Sequence, residues 1–553
     1  MRQILMKFFI LLILSFFVPA LIFVTKAQQS AAPSEKMPRP RLVVGIVVDQ
    51  MRYDYLYRYY EKYKNGGFKR LLREGFNCRD HHYHYANMST GPGHASVFTG
   101  SAPAIHGIIA NDWYVPSINK NMNCVDDSTV SGVGTTESGV GSPRSLMVTT
   151  VTDQLRIANN FRSKTISIAL KDRSAILPGG HTSNGSYWYD GKTGNWVTST
   201  FYMSALPEWV QTFNQRKLPF EYLSKGWKPL LPLAEYQEST SDEQPYEEGL
   251  EGNEKPAFPY KLLTSDPDMV GSTPWGNTLT KEMAIAAIQA EKLGKGAFTD
   301  FLALSFSAPD GVGHMFGPNS IEQEDLYLRL DREFADLFSF LDKWTGKGNY
   351  TVFLTADHGV MDVPELLTSN KIPSGRYNSG EVQKKIKERL SAEFGGEHFI
   401  KAISSWQIYL DKKRMKEKNV SIDAIQHVLH ELMQELPEVA NVINLHKLHQ
   451  ESLTEYQKLL YLNDFNPKRS GDLLIAFQPG WIGRGKYGTT HGTPYNYDTH
   501  VPFLLFGWGI KSGETLNRTH ISDIAPTISA LLHILPPSGS IGKVIGEALK
   551  PGR

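Results

Sequence analysis

Residues 41–49 read RLVVGIVVD, an unbroken apolar and largely β-branched run that ends in a carboxylate. A strand buried on both faces of a parallel sheet has this continuous pattern, whereas a half-exposed strand alternates. Three further runs share it, FLALSF at 301–306, YTVFL at 350–354 and VPFLLF at 501–506. We therefore predict buried strands with polar side chains gathered near their ends.

Helical patterns alternate with these strands. Between Glu322 and Trp344, leucine and phenylalanine recur every three or four residues and so share one helix face. Segments 281–293 and 521–532 follow the same pattern. Strands alternating with helices indicate an α/β fold with a central, mostly parallel sheet flanked by helices. Ligands of such sheets gather beyond the carboxyl ends of the strands.

Length and composition limit the size of the fold and the classes of partner. The chain has 553 residues, 41% of them hydrophobic, which predicts a large core with substantial insertions. The formal net charge of +1 argues against a nucleic-acid partner held by counterion release.

Two segments break the alternation and are predicted to be insertions over the active face. Residues 179–275 are rich in Tyr, Trp, Pro and Gly, and residues 366–479 carry helical patterns and short strands. The predicted organisation is a catalytic core of 41–178, 276–365 and 480–553, with a cap insertion at 179–275 and a second insertion at 366–479.

The N-terminus has the pattern of a secretory signal. Arg2 and Lys7 precede an apolar run from Phe8 to Val24, which is short for a membrane span and contains Pro19. We predict a signal peptide at 1–27, a leader at 28–40, and an exported protein, periplasmic or secreted, with no stable membrane span after cleavage. An uncleaved anchor is the alternative.

The chain contains two cysteines, Cys78 and Cys124. In an exported protein a pair favours a disulfide. The alternative is two buried free thiols.

Metal-type ligands lie near the strand ends: Asp49, Thr90, Asp310, His314, Asp357, His358 and His491. Each alone is more often a surface polar group or a cap. One ion takes three or four such groups, so the set predicts two ions. Two adjacent ions suit in-line phosphoryl displacement.

Thr90 lies in the segment NMSTGPGHA, 87–95, which is predicted to begin a helix with Pro92 in its first turn. A helix N-terminus favours an anion, either an alkoxide or a phosphate. The alternative is that Ser89 or Thr90 only caps the helix.

Lys171 and Arg173 follow the buried strand candidate 166–170. On one strand face they would project together and could bind phosphate oxygens. The alternative is a solvated edge. The histidine-rich run 79–84 is interpreted as a half-exposed strand rather than a metal site.

Seven segments together resemble the alkaline phosphatase superfamily, and within it the phosphate-irrepressible alkaline phosphatases, exported zinc phosphomonoesterases of bacteria. They are VVGIVVDQMRYDYL, NMSTGPGHASVFTG, HGIIANDWY, LKDRSAILPGGH, SFSAPDGVGHMFGP, LTADHGV and HGTPYNYDTHVPFLLFG.

The resemblance implies two Zn²⁺ ions per chain and small phosphate monoesters as substrates. One ion would be held by Asp310, His314 and His491, and the other by Asp49, Asp357, His358 and Thr90. Thr90 would be the nucleophile and form a phosphothreonine. Asn111, Lys171 and Arg173 would bind the phosphate oxygens.

Alternative functions stay open at this point. A nucleotide phosphodiesterase of the same superfamily is the nearest, and the Lys-x-Arg pair favours the monoesterase. A sulfatase lacks its Cys/Ser-x-Pro-x-Arg motif, and a phosphoethanolamine transferase would need several membrane helices. A non-catalytic zinc or phosphate-ester binding protein is the alternative from another class. The ligand set would also accept Mn²⁺ or Co²⁺. The oligomeric state, a monomer included, is left open.

Overall fold

The computed structural model describes residues 38–136 and 140–550. The predicted signal peptide and nearly all of the predicted leader lie outside the described residues. No helix of the described residues is long and apolar enough to cross a membrane.

The strands of the described chain are β1 (Leu42–Val48), β2 (Phe76–Cys78), β3 (His81–His82), β4 (Asp112–Val115), β5 (Lys120–Asn123), β6 (Gly132–Val133), β7 (Thr165–Ala169), β8 (Gly185–Asp190), β9 (Asn195–Ser199), β10 (Asp300–Phe306), β11 (Tyr350–Thr355), β12 (Gly375–Arg376), β13 (Ile400–Ser404), β14 (Gln407–Leu410), β15 (Val439–Asn444), β16 (Leu473–Phe477), β17 (Trp481–Ile482), β18 (Phe503–Gly507), β19 (Gly513–Thr515) and β20 (Thr519–His520).

The helices of the described chain are α1 (Tyr55–Arg58), α2 (Phe68–Glu74), α3 (Thr90–Thr99), α4 (Pro103–His106), α5 (Val151–Ile157), α6 (Asp172–Gly179), α7 (Glu208–Gln215), α8 (Leu218–Ser224), α9 (Trp275–Ala290), α10 (Ala308–Phe316), α11 (Ile321–Thr345), α12 (Pro364–Ser369), α13 (Ser379–Glu393), α14 (Lys412–Glu417), α15 (Ile422–Met433), α16 (Glu455–Asp464), α17 (Asn496–Thr499) and α18 (Ile524–Leu532).

Ten strands form the main sheet in the order β19-β2-β18-β11-β1-β10-β7-β8-β9-β6. The five central strands from β11 to β8 run parallel, and β18 and β9 pair antiparallel outside them. Every residue of β1, β7, β8, β10 and β11 is buried. Helices α6 and α9 pack against the central strands. The predicted α/β class, with a mostly parallel sheet flanked by helices, is confirmed.

The predicted insertions differ in how they relate to this sheet. Residues 179–275 begin with β8 and β9, which extend the main sheet, so their first part is not a cover over it. Residues 366–479 instead contain a separate four-stranded sheet, β13-β14-β16-β15, with its own apolar core against α13 and α15. The exact core and insertion boundaries stay a prediction.

Two local expectations were wrong. Cys78 and Cys124 are buried free thiols rather than a disulfide. Cys78 belongs to the main core, whereas Cys124 packs in another apolar cluster beside Gly91. The run 79–84 is not a half-exposed strand, because β3 spans only His81 and His82 and both are buried.

Candidate active site

The first part of the site lies where two neighbouring strands end. Val47 of β1 is level with Thr355 of β11, so Asp49 and Asp357 leave the sheet at the same edge. Both carboxylates are buried, and so is the adjacent His358. His358 Nε2 lies 3.5 Å from Asp49 Oδ1 and 3.5 Å from Asp357 Oδ2. The sheet register therefore gathers three of the predicted ligands.

The second part lies on α10, which follows β10 directly. Although the segment contains Gly311 and Gly313, it is helical. Residues four apart on a helix are neighbours, and His314 Nε2 lies 3.2 Å from Asp310 Oδ1. Gly311 serves packing, because a Cβ there would lie 2.5 Å from the Gly271 carbonyl oxygen. His491 reaches the same place from a loop, with Nε2 3.5 Å from Asp310 Oδ1.

The three histidines share one orientation. In each, ring Nδ1 lies within hydrogen-bond distance of a backbone carbonyl: His314 with Thr489 at 2.9 Å, His358 with Gly359 at 3.0 Å, and His491 with Met88 at 2.7 Å. A carbonyl oxygen only accepts, so Nδ1 carries a proton, and in the neutral imidazole Nε2 then holds the lone pair that a metal ion would bind. Metal-binding histidines are commonly held by such a hydrogen bond.

Two overlapping groups could hold a metal ion. One consists of Asp49, Asp357 and His358, and the other of Asp310, His358 and His491. His358 is shared, although the resemblance assigns it to one ion, and His314 joins neither group despite its contact with Asp310. Asp49 Oδ1, Asp357 Oδ2 and His358 Nε2 are buried without a hydrogen-bond partner. Such atoms are costly unless something binds them.

The charges at this edge are unbalanced. Burial and the neighbouring Asp357 raise the pKa of Asp49 well above its usual value. Burial lowers the pKa of His358 to about 3, so this imidazole is neutral at neutral pH. Buried carboxylates beside neutral imidazole nitrogens favour a bound cation. Carboxylate oxygen and imidazole nitrogen are the donors that Zn²⁺ accepts in catalytic sites, so the residues present fit such an ion.

Thr90 is the first residue of α3 and is buried. Neither it nor Ser89 caps the helix by a side-chain hydrogen bond, and Ser89 Oγ is buried without a partner. The helix packs very closely on the strand end, because a Cβ at Gly93 would lie 2.3 Å from the Asp357 carbonyl oxygen. Capping alone therefore does not explain these hydroxyls.

The remaining predicted site residues are Lys171, Arg173 and Asn111. Lys171 and Arg173 lie at the start of α6 rather than on a strand face, because β7 ends at Ala169. Lys171 Nζ contacts Asp49 Oδ2 at 2.7 Å and Asp310 Oδ2 at 2.5 Å. Arg173 Nε is buried without a hydrogen-bond partner.

Asn111 is positioned by the helix that carries Thr90. Its Oδ1 accepts a 2.7 Å hydrogen bond from the Gly91 amide. This bond leaves the side-chain NH₂ group to donate to another acceptor. Asn111 can therefore offer donors beside the first turn of α3.

A second His/Asp cluster lies outside this site. Asp80, His82 and His500 could also hold an ion by proximity. However, Asp80 pairs with Arg518 at 2.6 Å and His82 Nδ1 contacts Thr499 Oγ1 at 3.2 Å. Arg518 and Thr499 thus supply partners to Asp80 and His82, so we interpret this cluster as structural.

Comparison with known proteins decides the family. A family model described as type I phosphodiesterase / nucleotide pyrophosphatase matches residues 43–501. This protein belongs to that family, within the alkaline phosphatase superfamily.

Relatives within the superfamily cover nearly the whole chain. It is 45% identical to alkaline phosphatase PafA of Elizabethkingia meningoseptica, over 96% of this chain and 98% of that protein. It is 46% identical to alkaline phosphatase PhoV of Synechococcus elongatus, over 95% and 96%. The crystal structure of wild-type PafA matches with a TM-score of 0.91 at 44% identity, over 93% of this chain and all of that one.

Two residues of this superfamily member were not singled out as site residues from the sequence. Gln50 hydrogen-bonds both carboxylate groups, through its backbone amide to Asp357 at 3.1 Å and through Nε2 to Asp310 at 2.7 Å. Its φ of 62° is rare for a non-glycine residue, which the sequence does not reveal.

His94 is the other residue. Its Nδ1 contacts the Thr90 carbonyl at 2.9 Å and lies 3.3 Å from Asp357 Oδ2. Its Nε2 contacts Ser305 Oγ at 2.9 Å. One turn below Thr90 on α3, it links that helix to the carboxylate and to β10.

Proposed function

We propose that this protein hydrolyses phosphate monoesters to an alcohol and inorganic phosphate, as an alkaline phosphatase. The observation that carries the proposal is the convergence of two carboxylate–histidine groups near the first turn of α3, which begins at Thr90 and packs on Asp357. Asn111 contacts the Gly91 amide of this turn, and Lys171 contacts the carboxylates of Asp49 and Asp310. The relatives named alkaline phosphatase, alike over nearly the whole chain, support it.

We propose two Zn²⁺ ions as cofactors. Asp310, His314 and His491 would hold one, and Asp49, Asp357, His358 and Thr90 the other. When bound, such ions supply Lewis acidity, which lowers the pKa of coordinated hydroxyl groups and neutralises charge on a leaving oxygen. The unpartnered Asp49 Oδ1, Asp357 Oδ2 and His358 Nε2 support this ligand set.

Thr90 is the proposed nucleophile. Its hydroxyl oxygen attacks phosphorus in line with the ester oxygen, which leaves as the alcohol, and a phosphothreonine forms. Water then attacks the same phosphorus from the side that the alcohol left, releasing phosphate and restoring the Thr90 hydroxyl. Free N–H groups at the start of α3 favour the negative charge in both steps.

Asn111, Lys171 and Arg173 are proposed to hold the phosphate oxygens. Neutralisation of Asp49 and Asp310 by cations would release Lys171 from those carboxylates and free it for phosphate. The Arg173 guanidinium offers a fork of donors, one of which is buried without a partner. These groups act electrostatically, because the transition state spreads charge over the equatorial oxygens.

The second candidate is a nucleotide phosphodiesterase, an activity for which the matching family is named. A monoester dianion offers one more charged oxygen than a diester. Two cations beside the nucleophile match the monoester better, so we rank the diesterase second.

The location and organisation are also proposals. We propose that the chain is exported, to the periplasm or out of the cell, on the pattern of residues 1–27. N-terminal sequencing of the mature protein would test the cleavage near residue 28. We also propose that residues 366–479 cover the active face.

Comparing two esters tests the function. Purified mature protein of known zinc content is assayed with p-nitrophenyl phosphate and bis-p-nitrophenyl phosphate at alkaline pH, with and without a chelator. We expect a strong, chelator-sensitive preference for the monoester in kcat/KM. A preference for the diester would keep Thr90 and the metal groups but overturn the monoesterase and the roles of Lys171 and Arg173. No turnover of either ester would overturn the enzyme proposal.

A further inference from the structure

A cavity of about 500 Å³ adjoins the proposed site. Ser89, Asn111, His314 and His491 line its near end. A phosphate bound beside Thr90 would therefore point its ester group either into this cavity or into solvent. The cavity is large enough for a ring system, and its far wall shows which kind fits.

The far wall is an aromatic cluster from the second insertion. Tyr377 and Phe477 are stacked with ring centroids 4.2 Å apart and an angle of 2° between their planes. Trp406 packs edge-on against both, at 5.5 Å and 4.7 Å between ring centroids. All three line the cavity. Because the rings brace one another, this wall presents a preorganised aromatic surface to a ligand.

Trp406 adopts a backbone conformation that a tryptophan normally avoids. Ser405 and Trp406 form the two-residue hairpin turn between β13 and β14, with φ of 48° and 61°. Such turns favour Asn and Gly, since a side chain at positive φ is strained. The indole is held there by its packing on Tyr377, Phe477 and the core of the second insertion. This packing fixes the Trp406 ring in the wall of the cavity.

The charge of the cavity excludes one class of leaving group. Among the described residues that line it there is no lysine or arginine, whereas Asp112 and Asp464 do line it. Asp464 is 5% exposed, and its carboxylate accepts one long hydrogen bond, 3.3 Å from the Asn87 amide. A second phosphate or a carboxylate on the leaving group would meet these acids, with no lysine or arginine among the described lining residues to pair with it.

We propose that this cavity is a leaving-group subsite that selects phosphate monoesters of planar, aromatic alcohols without negative charge, such as aryl alcohols and nucleosides. The rings of Trp406, Tyr377 and Phe477 bind the planar group, and Asp112 and Asp464 reject anionic ones. This proposal rests on the proposed function and extends it from the reaction to the substrate class.

Hydrolysis of three substrates, 5′-AMP, ribose 5-phosphate and ADP, tests the subsite in the wild-type enzyme. 5′-AMP and ribose 5-phosphate release the same kind of primary alcohol and differ by the nucleobase. We expect kcat/KM for 5′-AMP to exceed that for ribose 5-phosphate by about 10-fold, the size of one base–aromatic stacking contact. ADP should be hydrolysed more slowly than 5′-AMP, although its phosphate leaving group is chemically the better one.

A variant at the strained turn separates recognition from folding. Trp406→Asn removes the ring but suits the left-handed backbone, so the turn is retained. We expect it to lower kcat/KM for 5′-AMP toward that for ribose 5-phosphate and to leave ribose 5-phosphate unchanged. Phe201→Ala is the matched control, since Phe201 is 39% exposed and does not line the cavity. Phe201→Ala should leave kcat/KM unchanged for both 5′-AMP and ribose 5-phosphate.

The outcomes separate the two proposals. Equal kcat/KM for 5′-AMP and ribose 5-phosphate in the wild type, with normal p-nitrophenyl phosphate turnover, would overturn the subsite alone. Equal loss of both substrates in Trp406→Asn would also overturn it, because it would show a structural role. Absence of turnover of every monoester in the wild type would instead overturn the proposed function.

Discussion

The strand-end site and the aromatic wall are built in opposite ways. The strand-end site consists of buried carboxylates, imidazoles and cations around the ends of β1 and β11, and several of its polar atoms lack partners. The aromatic wall consists of rings that pack on one another and against the core of the second insertion. This difference implies that the proposed hydrolysis and the proposed leaving-group selectivity depend on different cores. We therefore expect that each can be altered by mutation without the other.

Removing the nucleophile should have the largest effect. Thr90→Ala is expected to lower kcat for p-nitrophenyl phosphate by about 10⁴-fold or more, because it removes the hydroxyl that forms the proposed covalent intermediate. Thr90→Ser keeps a hydroxyl and should retain far more activity. Circular dichroism checks that both variants fold alike. Comparable activity in Thr90→Ala and wild type would remove Thr90 from its role.

Neutralising one buried carboxylate should raise the melting temperature of the metal-free protein and reduce the stabilisation that zinc provides. Asp49→Asn removes a charge that burial and Asp357 disfavour, so the chelated protein should melt at a higher temperature than chelated wild type. It also removes a proposed ligand, so zinc affinity should fall by about 10- to 100-fold or more.

Melting curves with and without zinc, together with metal content by mass spectrometry, measure both effects. Asp423→Asn is the control, because this carboxylate is exposed. Unchanged zinc binding in Asp49→Asn would contradict the metal group at the end of β1.

The cation pair should matter for monoesters more than for diesters. Lys171→Ala combined with Arg173→Ala is expected to lower the ratio of monoesterase to diesterase kcat/KM by about 100-fold, the size of losing preorganised charge stabilisation. Parallel assays of p-nitrophenyl phosphate and bis-p-nitrophenyl phosphate measure the ratio. Equal losses on the two esters would contradict the assignment.

The insertion core should be separable from the metal site. Ile425 is fully buried in the core of the second insertion. Ile425→Ala should destabilise that unit by about 2–5 kcal/mol and increase hydrogen exchange within 366–479. Zinc content and ribose 5-phosphate turnover should stay near wild type. A loss of zinc in this variant would show that the two regions are not independent.

The smallest expected effect concerns the acid in the cavity wall. Burial raises the pKa of Asp464 to about 7. An acid with a raised folded-state pKa takes up protons on folding, so its contribution makes the protein less stable as pH rises from about 4 to about 7, and the loss persists above. Asp464→Asn removes this loss, roughly 1–4 kcal/mol.

Melting temperatures at pH 5 and pH 8.5 measure this effect. The gain of Asp464→Asn over wild type should be larger at pH 8.5. A gain that is the same at both values would mean that Asp464 does not titrate between them.

Local sequence patterns predicted much of the fold and many of the site residues. Apolar runs such as 41–48 and 350–354 predicted buried strands, since short apolar runs rich in β-branched residues are typical of strands buried on both faces. Side-chain chemistry is likewise local, so Asp49, Asp310, Asp357 and the histidines could be singled out one by one. The helix beginning at Thr90 followed from Pro92 and the small residues around it.

The α/β class, the helix at Thr90 and the identity of the polar groups near the strand ends thus follow from the sequence. The folded arrangement settles which of these groups meet, because distances between segments depend on sheet register and packing. It placed Lys171 on Asp49 and Asp310, inserted Gln50 between two carboxylates, and kept Cys78 apart from Cys124. It also assembled the aromatic wall from 377, 406 and 477, because rings so far apart in sequence share no local pattern.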